Sequence, residues 1–80
     1  MTIPVLVCAK ALTDFRLELS FENGEVKIYN FTPNLSHPAY KALSNHKLFT
    51  QVSVHEGEIE WVTGQDFCPH TLYLNSKSII

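Results

Sequence analysis

Little in this chain of 80 residues is arranged for covalent or metal chemistry. Its two cysteines, Cys8 and Cys68, are too few for a disulfide scaffold. The glycines, at 24, 57 and 64, each sit in a turn pattern, which leaves none for an oxyanion-stabilising loop. The six Lys and Arg are scattered and the formal charge is −2, so the basic stripe of a nucleic-acid binder is missing. Nucleic-acid binding by this domain alone is therefore disfavoured. No stretch approaches the roughly 18 apolar residues that span a bilayer. The start, MTIPVLVCAKAL, has no basic region and is interrupted by Pro4 and Lys10, which argues against a signal peptide. These gaps point to a reduced, soluble, cytoplasmic protein with no cofactor.

What is present is material for a small core. The composition is 45% hydrophobic, with five Phe, three Tyr and one Trp. This suits a single domain over residues 1–80, with residues 76–80 as a fraying tail. A chain this short buries only about 60 to 65% of its unfolded surface, which predicts modest stability.

The run FRLELSFENGEVKIYNF, Phe15 to Phe31, reads as a β-hairpin. Phe15, Leu17, Leu19 and Phe21 alternate with Arg16, Glu18 and Ser20, the pattern of a strand with one buried face. Asn23-Gly24 reverses the chain, since both residues tolerate positive φ. A third strand then runs from about Glu25 to Phe31. Before this hairpin, Ile3 to Leu12 alternates with both faces apolar, which predicts a strand covered on both sides. Thr13-Asp14 closes the connection between the two.

Thr32-Pro33-Asn34 ends the third strand, because proline cannot donate to a ladder. From Ser36 to Thr50 the spacing of Tyr40 and Leu43 predicts one or two short helices, broken near Ser44-Asn45. Ser36 or His37 caps the first, with Pro38 in its first turn. A second hairpin spans Gln51 to His55 and Glu58 to Val62 around Glu56-Gly57, with Val52, Val54, Ile59 and Trp61 inward. Asp66 and Pro69 bracket a final helical turn, Pro69 to Asn75, with Asp66 in the capping role and Leu72 and Tyr73 on the sheet near Trp61. The order β-β-β-α-β-β predicts an α+β domain: one antiparallel sheet of about five strands, short helices on one side and a C-terminal helical turn.

Candidate chemistry is sparse. Asp66, Cys68 and His70 lie within five residues, yet a zinc site needs a second ligand pair, which only Cys8 and distant histidines offer. Cys68 and His70 as nucleophile and base would need a third, orienting group. An enzyme using Asp66, Cys68 and His70 thus stands as an alternative to a non-enzymatic module. Glu58 and Glu60 share the face opposite Ile59 and Trp61, beside Glu56. That face is either simply solvated or a docking surface for a basic partner. Tyr29 and Phe31 fall opposite Val26 and Ile28 and form an exposed apolar patch if no helix covers them. The interaction candidates are therefore Tyr29, Phe31, Glu58, Glu60, Asp66 and Tyr73.

These landmarks also line up in sequence: Asp14-x-x-Leu17-x-x-x-Phe21-x-x-Gly24-Glu25, then Leu35, Tyr40, Leu43, Phe49 and Val52-x-Val54. Gly57-x-Ile59-x-Trp61 and Asp66-x-x-Pro69-x-x-Leu72-Tyr73 complete them. The pattern, over about Lys10 to Tyr73, resembles a family of short bacterial and archaeal proteins catalogued as domain of unknown function 2442. Val62 departs from it, where the family often has proline. The resemblance implies an antiparallel α+β domain and carries no catalytic residues. Longer relatives sometimes continue into a helix-turn-helix segment, implying a DNA-linked regulatory role whose DNA-binding segment is absent here. Members also resemble one half of small toxin–antitoxin-like pairs, implying a protein partner. The leading expectation is a non-enzymatic interaction module that binds another small protein or itself, with no membrane contact.

Overall fold

The computed structural model describes residues 3–79, and of Asp66 only the backbone. Two antiparallel sheets form it. The first has strands β1 (Leu6–Ala11), β2 (Arg16–Phe21), β3 (Val26–Asn30) and β7 (Lys77–Ser78), in the order β1-β2-β3-β7. The second has β4 (Val52–His55), β5 (Glu58–Trp61) and β6 (Asp66–Phe67), in the order β4-β5-β6. The mixed antiparallel α+β class read from the sequence holds, but the expected single sheet is two. The reason is the crossing between β3 and β4. It is made of 3-10 turns at Thr32–Ser36 and Pro38–Ser44 and of helix α1 (His46–Phe49). This path lays β4 alongside β1, at the far side of the first sheet from β3, with no ladder between them. Helix α2 (Pro69–Asn75) then links β6 to β7.

Register fixes which side chains face inward. In the β2–β3 hairpin Leu17 stands opposite Tyr29 and Leu19 opposite Lys27. Cross-strand partners share a face, so Tyr29 joins Leu17 and Leu19 in the core. Tyr29 is 9% exposed and Phe31 is fully buried. Their expected role as an open apolar patch is thereby corrected: the second sheet and the helical crossing cover that face. The rings of Tyr29, Tyr40, Phe49, Trp61 and Phe67 lie with centroids 5.1 to 6.1 Å from that of Phe31, mostly edge-on or tilted. Such pairs add about 0.5–1.5 kcal/mol each beyond the burial of their surface. Leu43, Phe49 and Leu72 bring the helical segments into the same core.

The first strand is not covered on both sides. Its register with β2 passes from Leu6↔Phe21 to Cys8↔Ser20, so Val7 is an extra, unpaired residue. This bulge switches the inward set from Leu6 to Ala9 and Ala11. Val5 and Val7 are left about half exposed. On the outer face of the first sheet stand Cys8, Lys10, Arg16, Glu18, Ser20, Val26, Ile28, Asn30 and Lys77, as their pairings dictate.

The turn between β1 and β2 holds Asp14 and Phe15 at positive φ, 61° and 56°. A bulky residue there carries about 1–2 kcal/mol of strain. Packing offsets it: the Phe15 ring sits 5.2 Å from Phe49 and 5.3 Å from His46, and the Phe15 carbonyl accepts the Phe31 amide at 2.9 Å.

The crossing follows its capping residues. His37 Nδ1 accepts the Ala39 amide at 3.1 Å ahead of Pro38, and Asn45 Oδ1 accepts the Lys47 amide at the start of α1. The expected short helices, broken near Ser44-Asn45, are a 3-10 helix at Pro38–Ser44 and then α1. At the other end the chain returns to the first sheet. Lys77 and Ser78 pair with Ile28 and Lys27, and the Ile79 amide donates to the Val26 carbonyl. Strand β3 offers a free edge there, and backbone groups at such an edge bind a further strand readily. No helix among the described residues is long and apolar enough to cross a membrane.

Candidate interaction surface

The β4–β5 hairpin reverses at Glu56 and Gly57, both at positive φ (52° and 80°). Two successive left-handed residues make the two-residue turn whose twist matches the strands it joins. The tip rests on the segment before β1: a Cβ at Gly57 would lie 3.2 Å from Val5 Cγ1. Val5 is itself pinned, its carbonyl accepting the Glu22 amide at 2.9 Å and its amide donating to Glu22 Oε1 at 3.3 Å. Between these parts lies a cleft of about 250 Å³, with walls from Ile3 to Leu6, Glu56 to Glu58, and Pro69. A second cleft of about 280 Å³ adjoins it at Glu58 and Pro69 and is completed by Phe67 and Cys68.

Cys68 is exposed and occupies the N-cap position of α2. Its thiol makes no well-aligned capping bond, yet the nearby amides of Thr71 and then His70, with the Thr71 hydroxyl, hold its pKa below the ordinary thiol value. Partial desolvation and the Glu58 carboxylate oppose that shift. Asp66 is therefore not the N-cap residue. It lies two positions earlier, paired through its backbone with Glu60 in β6, because the helix begins at Pro69. Its side chain lies outside the described residues. His70 is exposed on α2. Among the described residues no three His, Cys, Asp or Glu side chains converge as metal ligands, and Cys8 stands apart on the outer face of the first sheet.

The remaining candidates separate. Glu58 lines both clefts, whereas Glu60 stands further along β5, exposed and opposite Ser53. Tyr73 is engaged within the fold. Its hydroxyl donates to Glu25 Oε1 at 2.6 Å, its ring stands edge-on to Phe21 at 5.1 Å, and Lys27 Nζ sits 3.8 Å above its centroid. Lys27 also donates to the Tyr73 carbonyl at 2.9 Å. The hydrogen bond from Tyr73, then that from Asn23, lowers the Glu25 pKa, and the same carboxylate raises that of Tyr73. Tyr73 thus clamps α2 to the β2–β3 hairpin.

Sequence reasoning missed Ile3 to Val7 and Pro69 as surface. The signal was present: a strand apolar on both faces is either buried on both or presents one of them. A period of two residues does not distinguish these, and the bulge at Val7 was invisible to it.

Fold and surface together define a small α+β domain with an aromatic core between two antiparallel sheets and a shallow, partly apolar cleft at one end. The chain belongs to the family described as "Protein of unknown function (DUF2442)", whose model matches residues 6–78. No curated protein and no solved structure matches it.

Proposed function

We propose that this chain is a small, non-enzymatic protein-interaction module whose partner is another small protein. The observation that carries the reading is the half-exposed pair Val5 and Val7, at 48% and 55%, beside a cleft with Glu58 on its rim. Half-exposed apolar side chains with charged ones at the edge have the composition of a recognition surface. The exposed unpaired thiols of Cys8 and Cys68 suit a reducing compartment, and the cytoplasm is the proposed location.

Co-expression with the product of the neighbouring gene, followed by size exclusion with light scattering, tests the reading. Co-elution at the mass of a defined complex is the expected result. A clean monomer, with no specific companion from that co-expression or from its native cell, would overturn it.

A further inference from the structure

We infer that the cleft between Val5 and Pro69 receives an extended segment of the partner protein, in which one branched apolar side chain is flanked by lysine or arginine. This rests on the interaction reading above and names the chemistry of the partner. The first argument is size. Clefts of about 250 and 280 Å³ fall below the ~300–1,000 Å³ of typical small-molecule sites, and suit single side chains of a peptide better. The second is polarity. Ile3, Pro4, Val5, Leu6 and Pro69 give the first cleft an apolar lining, which rewards an aliphatic anchor.

The third argument is charge. Glu56 and Glu58 stand on the rim, Glu22 is bonded to the Val5 amide behind it, and among the described residues no lysine or arginine lines either cleft. An approaching anion meets like charge there, while a cation beside the anchor meets two carboxylates. Such exposed charges govern association rate and partner choice, and salt screens them. Gly57 closes the geometry. With no side chain of its own, the hairpin tip packs directly on Val5, whose Cγ1 would lie 3.2 Å from a Cβ there, and so sets the cleft wall.

Nuclear magnetic resonance of the full chain, labelled with nitrogen-15, tests this with two peptides: acetyl-Lys-Leu-Lys-amide and acetyl-Glu-Leu-Glu-amide. The lysine peptide is expected to shift the amides of Val5, Gly57, Glu58 and Phe67 saturably, and the glutamate peptide to leave them in place. Added salt weakens the binding. The double variant Glu56→Gln, Glu58→Gln keeps the native spectrum and loses about fivefold in affinity, the size expected of two exposed ion pairs. Equal response to both peptides, shifts centred elsewhere, or a mass that doubles with concentration through this face would overturn the inference. If the double variant retains the co-expressed companion with unchanged affinity, the interaction reading stands and the cleft is not its seat. If no companion exists, the interaction reading fails regardless of the peptides.

Discussion

The hydroxyl of Tyr73 donates a 2.6 Å hydrogen bond to the carboxylate of Glu25, joining residues 48 positions apart in the chain. Through it the last helix is fixed to the first hairpin, and the two ends of the fold are tied. The bond needs Glu25 ionised and Tyr73 protonated. Glu25 titrates lower when folded, so its contribution is present above the ordinary glutamate value of 4.5 and disappears as pH falls through the lowered one. Tyr73 titrates higher when folded, so its contribution is present below the ordinary value of 10.0 and disappears as pH rises through the raised one. Tyr73→Phe is expected to lower the melting temperature at neutral pH. The gap between variant and parent should close in acid, and melting curves across pH check both statements.

Trp61 provides a second, buried tie. Its indole N–H donates to the Phe49 carbonyl at 2.9 Å, linking β5 to α1 inside the core. Trp61→Phe keeps most of the apolar surface but leaves that carbonyl without its partner. The expected loss is about 1–3 kcal/mol, measured by urea unfolding. In a domain with roughly 5–15 kcal/mol in total, such a loss is easily resolved.

Gly57 combines a φ of 80° with the Val5 methyl 3.2 Å from the position of any Cβ. Gly57→Ala should therefore cost about 1–2 kcal/mol in backbone strain. It should also move the Val5 methyl resonances, because that half-exposed side chain is what yields. A stability loss with Val5 unmoved would place the strain in the turn alone.

The Cys68 thiol, lowered by the Thr71 and His70 amides, should react with iodoacetamide faster in the folded chain than in the urea-unfolded one at neutral pH. Mass spectrometry of the alkylated peptide gives both rates. Equal rates would show that the amides do not stabilise the thiolate.

Much of this architecture was legible in the sequence because its hairpins carry redundant signals. Leu17, Leu19 and Phe21 alternate with polar neighbours, and Asn23-Gly24 lies where the chain turns. Glu56-Gly57 marks the second reversal, and Pro69 marks the start of α2 at its true position. The burial of Tyr29 and Phe31 was legible too, but only through register. Phe21 faces Glu25 across the turn, which sets Leu17 opposite Tyr29 and so turns Tyr29 inward. The alternation of β3 alone does not reveal this, since Val26 and Ile28 are as apolar as Tyr29 and Phe31 on the other face.

Other features depend on tertiary context. The bulge at Val7 is one extra residue whose only cause is the fit of β1 to β2. The pairing of Lys77 and Ser78 depends on where α2 delivers the chain, not on their own strand preference. The cleft joins Ile3–Leu6 to Glu56–Glu58 and Pro69, segments brought together only by the crossing that sets β4 beside β1.

Hydrogen exchange of the chain alone and with its companion tests the central claim most directly. Slowed exchange confined to Val5, Val7, Gly57, Glu58 and the start of α2 is the predicted footprint. Protection centred instead on Arg16, Ile28 and Lys77, across the outer face of the first sheet, would contradict it.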